Sequence, residues 1–125
     1  MSRPQLIPGP DHPITVAPAD ARVVVRAGER VLADTTDALA LQESTYPVVY
    51  YVPLADVDQS LLQRTEHSTY CPYKGDASYY SVVTPEETLD NAVWSYEEPY
   101  AAVAPIAKRV AFYTNKLEVT VVSGG

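Results

Sequence analysis

Short runs of β-branched and aromatic residues alternate with polar ones and end in turn signals. This period-two pattern constrains the fold more than any other feature of the chain. Arg22–Arg26 and Arg30–Asp34 flank Ala27-Gly28-Glu29 and read as a hairpin. Ala38–Glu43 and Val48–Val52 read as a second strand pair across Ser44-Thr45-Tyr46-Pro47. Arg64–Thr69 and Ala77–Val83 flank the turn Cys71-Pro72-Tyr73-Lys74-Gly75, and Thr88–Tyr96 follows the turn Thr84-Pro85-Glu86-Glu87. Val110–Tyr113 and Leu117–Val122 predict a closing hairpin over Thr114-Asn115-Lys116. Helical signals are few. Asp56 reads as an N-cap with Gln59 three residues on, and Val57, Leu61 and Leu62 give a short apolar face that ends near Arg64. Pro99–Lys108 is alanine-rich, but Pro105 confines any helix there to short pieces. About eight strands against two short helices make the class mostly β, in strongly twisted antiparallel sheets.

Five of the eleven prolines lie within residues 1–21: Pro4, Pro8, Pro10, Pro13 and Pro18. Proline cannot donate to a ladder, so these residues predict an extended arm rather than sheet or helix, with residues 1–13 lacking regular structure. The remainder, residues 22–125, is expected to form one domain, since 125 residues suit a single core.

Hydrophobic residues make up 46% and charged residues 20% of the chain, a globular rather than a disordered balance. The formal net charge of −7 opposes phosphate binding, and Arg22, Arg26, Arg30, Arg64, Lys74, Lys108, Arg109 and Lys116 are scattered rather than clustered. Nucleic acid is therefore not an expected partner. Nor is a membrane, because no apolar run approaches a spanning length. Met1–Pro10 carries no signal-peptide apolar region, and the single cysteine cannot form an internal disulfide, so a reducing cytoplasm is the expected compartment.

Ten tyrosines stand against one Phe and one Trp, all ten between Tyr46 and Tyr113. A buried phenol must find a hydrogen-bond partner that Phe would not need. The tyrosines fit either a half-buried sheet, where Tyr is favoured, or a pocket lined by phenols.

Reactive groups concentrate between Thr69 and Ser81. Cys71 stands three residues before Lys74, in a bend set by Pro72 and released by Gly75. A nearby ammonium would lower the thiol pKa and make Cys71 a nucleophile. The plain alternative is a small buried Cys71 beside a solvated Lys74, and a third role is Lys74 as an anion contact on a pocket rim. His67 is too far along an extended strand to pair with Cys71, about 13 Å over four residues. His12 sits on the arm, where a histidine is ordinarily solvated; the other reading is that it reaches a distant surface and takes a site role. Cys71, His67 and His12 lack zinc-ligand spacing, so no metal or other cofactor is expected. Asp56-Val57-Asp58 has the spacing of a metal-binding acidic pair, but its place ahead of a short amphipathic run favours capping.

Trp94 and Tyr96 alternate onto one strand face, and with Tyr51, Tyr73 and Tyr80 they could line a cleft. Glu43 at a strand end and Arg64 ahead of Cys71 would orient a polar ligand there; as surface residues they would have no such role.

Gly9-Pro10-Asp11-His12-Pro13-Ile14, Val49-Tyr50-Tyr51-Val52-Pro53, Cys71-Pro72-Tyr73-Lys74-Gly75-Asp76-Ala77, Ala92-Val93-Trp94-Ser95-Tyr96 with Pro99, and Val110-Ala111-Phe112-Tyr113 follow in this order. In this pattern the chain resembles domain-of-unknown-function family 427, from about Pro8 to Val122. The resemblance implies a small twisted β-fold similar to β-tent proteins such as methionine sulfoxide reductase B. The family also carries a nucleotidyltransferase-like label, which the Asp56-Val57-Asp58 pair does not support, and there is no phosphate-binding glycine motif. Many β-tent relatives hold zinc through paired Cys-x-x-Cys motifs, and one cysteine departs from that.

The expected function is a small-molecule-binding β domain. Its polar-aromatic pocket would be rimmed by the Cys71–Gly75 turn and lined by Glu43, Tyr51, Arg64, Tyr73, Tyr80, Trp94 and Tyr96. The alternatives are an enzyme using Cys71 with Lys74, and an interaction module docking a partner on a sheet edge or on the arm.

Overall fold

The computed structural model describes residues 4–123. Ten strands form: β1 (Ile14–Pro18), β2 (Ala21–Ala27), β3 (Arg30–Thr35), β4 (Leu39–Glu43), β5 (Val49–Pro53), β6 (Leu62–Cys71), β7 (Gly75–Val83), β8 (Thr88–Ser95), β9 (Arg109–Phe112) and β10 (Glu118–Ser123). They build a seven-stranded sheet, ordered β1-β4-β5-β9-β8-β7-β6, and a three-stranded sheet, ordered β10-β2-β3. Every paired ladder is antiparallel. The mostly-β, single-domain expectation holds, and the helical residues are confined to short 3-10 turns. No helix among the described residues is long and apolar enough to cross a membrane.

Alternation sends the apolar residues of the large sheet to two separate cores. Val23, Val25, Ala27, Leu32 and Ala33 of the small sheet pack on Val52, Val82, Val93, Val110 and Phe112 of the large one. The far face of the large sheet carries a second core of Leu41, Tyr51, Ala77, Tyr79, Tyr96 and Ala111, joined by Val103 and Ile106. Those two belong to the 3-10 segment Ala101–Ile106, which lies across that face.

Four expectations change. Residues 14–18 are not free arm but an edge strand, β1, paired with β4 from Ile14↔Glu43 to Pro18↔Leu39. Proline is tolerated there because an edge strand has one ladder side unpaired. Of the rest of the arm, residues 4–8 lack regular structure, Gly9–His12 close a turn by mutual backbone hydrogen bonds, and residues 1–3 fall outside the described chain. The helix expected after Asp56 is only two 3-10 turns, Leu54–Asp56 and Gln59–Leu61. Asp58, not Asp56, caps the second by accepting from the Ser60 N–H, while Asp56 accepts from the Thr35 hydroxyl. Finally, β9 and β10 are not a hairpin. β10 leaves the large sheet and pairs with β2, from Glu118↔Arg26 to Ser123↔Ala21, so that Leu117 enters the core between the sheets.

Candidate functional site

The Cys71–Gly75 turn is built by local chemistry. Lys74 N–H donates to the Cys71 carbonyl at 3.2 Å, and Gly75 then takes φ +110°, a conformation that favours glycine. A Cβ on Gly75 would lie 3.5 Å from the Glu98 carbonyl oxygen, so the turn also packs closely under the 98–100 segment. The Tyr100 N–H, donating to the Lys74 carbonyl at 3.0 Å, fixes that contact.

The turn aims Lys74 at the end of β4. Its ammonium meets Glu43 Oε1 at 2.6 Å, and His12 Nε2 meets Glu43 Oε2 at 2.7 Å. All three side chains are largely withdrawn from solvent, with exposures of 12% for Lys74, 14% for Glu43 and 24% for His12. The arm delivers His12. The Pro13 carbonyl accepts from the Ser44 N–H at 2.8 Å, the Gly9–His12 turn reverses the chain, and the Leu6 N–H reaches the Pro72 carbonyl at 2.9 Å. Tyr73 stacks on the His12 ring at 4.2 Å and 12°. Lys74 Nζ lies 5.7 Å from the centroid of Tyr96.

Burial alone would raise the Glu43 pKa. Hydrogen bonds and attraction from Lys74 and His12 outweigh it and hold the carboxyl below its ordinary range. Around this centre lies a floor of phenols. Tyr51 is pushed up to about 12, chiefly by burial and opposed by its bond from Trp94, with Glu43 and Cys71 adding to the rise. Burial also raises Tyr96, with Tyr51 and Cys71 adding. Both phenols therefore stay protonated near neutral pH and keep an O–H to donate. Trp94 Nε1 donates to Tyr51 Oη at 3.3 Å. Cys71, partly buried, packs on the same core as Tyr51 and Tyr96.

Of the predicted residues, Glu43, Tyr51, Cys71, Tyr73, Lys74, Trp94 and Tyr96 meet at this end of the far face. Arg64 and Tyr80 do not. They pair across β6 and β7 on the opposite face, where Tyr80 packs against the core between the sheets and Arg64 meets Glu97 at 2.6 Å. Strand parity explains the error. The turn pairs Cys71↔Gly75 and Thr69↔Ala77, so Cys71 shares its face with Tyr79, not Tyr80. Tyr79 is buried there, hydrogen-bonded to Thr69 Oγ1 at 2.9 Å and in ring contact with His67 at 4.4 Å. His12 reaches the site rather than solvent, the less expected of its two readings. Its signal was the Gly9–Pro13 turn, but nothing local shows where an arm lands.

Two partners at a single carboxylate do not make a metal centre. No group of three or more His, Cys, Asp or Glu side chains is placed to hold a metal among the described residues. Lys74's ammonium is directed at Glu43.

A family model described as a domain of unknown function, DUF427, and labelled NTP_transf_9, matches residues 15–123, so the chain belongs to that family. The match begins within β1 and ends with β10, and thus takes in both sheets. No curated protein matches the chain.

Proposed function

We propose that this DUF427 family member binds a small polar molecule at the Glu43–Lys74–His12 centre, with the tyrosines of the far face as its walls. The observation that carries this reading is the ion pair itself. Desolvating a carboxylate and an ammonium is costly, and a hydrophobic pair of similar volume is often as stable, so such a pair is weak evidence of a stability role. Its place beside Tyr73 and Tyr96, on the face that also carries Cys71 and Trp94, suits recognition. Glu43 takes one of the three ammonium N–H groups of Lys74, which leaves donors for a carbonyl or carboxylate of a ligand. His12 and the protonated phenols supply more. The ligand this chemistry favours is therefore small and rich in acceptors, with a flat portion that can lie against a tyrosine ring. A reducing cytoplasm suits the single thiol at its edge.

A thermal-shift screen of small carboxylates, amides and hydroxylated ring compounds tests the reading. Active compounds should raise the melting temperature of the wild type and lose that effect in Glu43→Gln/Lys74→Met, which removes both charges together. Compounds that stabilise the wild type and the double variant equally would place binding elsewhere.

A further inference from the structure

We propose a second site, sharing only Trp94 with the far-face set, for a flat, uncharged aromatic group in the fork where β5 and β9 diverge. The ladder between these strands runs over only two pairs, Val52↔Val110 and Pro53↔Arg109. Beyond it the large sheet opens, and a cleft of about 190 Å³ enters between the two sheets. Its walls include Val48, Tyr50, Trp94, Phe112, Tyr113 and Val119, and none of its ten lining residues is charged. In a chain with formal net charge −7, an uncharged cleft of this kind selects against ions of either sign.

The two largest rings present apolar surface because their polar atoms are engaged elsewhere. Trp94 Nε1 donates to Tyr51 Oη at 3.3 Å, and Tyr113 Oη lies 3.4 Å from Tyr79 Oη, both partners belonging to the far-face core. Water entering the cleft would find few partners, whereas a flat ring would find ring faces. Lys116 Nζ, 5.8 Å from the Tyr113 ring, already donates to the Asp90 carbonyl at 2.6 Å. The size also fits. Dry apolar cavities of about 150 Å³ accept benzene, so this cleft takes one ring with a small substituent. Val48 and Tyr113, exposed at 39% and 36%, keep its mouth accessible. The site does not depend on Glu43, Lys74 or His12, none of which lines it.

Trp94 is the single tryptophan, so its indole N–H is one resolvable NMR signal. The test titrates the full chain with toluene, and separately with benzoate and with benzamidine as charged counterparts. Toluene should shift the Trp94 indole and the Thr114 and Val119 amides saturably, with the charged probes at least about tenfold weaker. Val48→Phe or Thr114→Phe, both at exposed positions, should cover the mouth and weaken toluene binding by about tenfold or more while the spectrum stays dispersed. Absence of saturation with toluene, equal binding of the charged probes, or toluene binding unchanged in whichever variant folds would overturn the proposal.

Discussion

At the scale of single residues, Glu43 joins Lys74 and His12 at one carboxylate. Burial would raise its pKa, but hydrogen bonds and attraction from Lys74 and His12 hold it below the ordinary carboxylate range. A depressed folded-state pKa stabilises the protein above the unfolded-state pKa, and that stability is lost as pH falls through the folded value. Urea denaturation at neutral pH and at about pH 3 should therefore show a smaller pH difference for Glu43→Gln than for wild type. At neutral pH Glu43→Gln should cost about 2 kcal/mol, because it leaves the Lys74 charge buried without its partner. Glu43→Gln/Lys74→Met should cost less than the sum of the two single changes, the sign of direct coupling. Lys74→Ala should alter iodoacetamide labelling of Cys71 by less than about threefold, because the Glu43 charge offsets that of the ammonium; a larger slowing would favour the nucleophile reading. At this scale the sequence was informative where type and spacing agree. A Pro-Tyr-Lys-Gly run after a cysteine announces a turn, and Trp94 with Tyr96 announces a face. It misled where parity had to be counted through the turn, which chose Tyr80 over Tyr79.

At the scale of elements, two segments position the centre. Gly75 adopts φ +110° and lies under the 98–100 backbone, so Gly75→Ala should destabilise by about 1–2 kcal/mol. Measured by denaturation, a loss much below this would mean the turn tolerates relaxation. The arm is the other segment. Removing residues 1–13 takes away His12 and the Pro13 carbonyl that accepts from Ser44, so the Glu43 pKa should rise, which carboxyl carbon NMR would detect. Strands that pair with sequence neighbours, such as β2 with β3 and β6 with β7, were legible from alternation and turn chemistry. β1 and β10 were less so. Proline content masked an edge strand, and a short loop before β10 concealed a crossing to the other sheet. Those pairings are decided by which core receives the apolar residues, a tertiary choice that local patterns do not encode.

At the scale of the whole molecule, the large sheet separates two environments. One face closes an apolar core against the small sheet; the other gathers phenols, a thiol and an ion pair beneath a short 3-10 cover and a folded-back arm. Family membership spans both sheets and carries no activity with it, so the functional claim stands on the polar face. The most direct test is chemical-shift mapping with the most strongly stabilising compound of the thermal-shift screen, following the Lys74, Glu43, His12 and Tyr96 side chains through a titration. Saturable shifts should centre on these four residues and vanish in Glu43→Gln/Lys74→Met. Shifts that centre instead on Arg64 and Tyr80, or that survive the double variant, would contradict binding at the Glu43–Lys74–His12 centre.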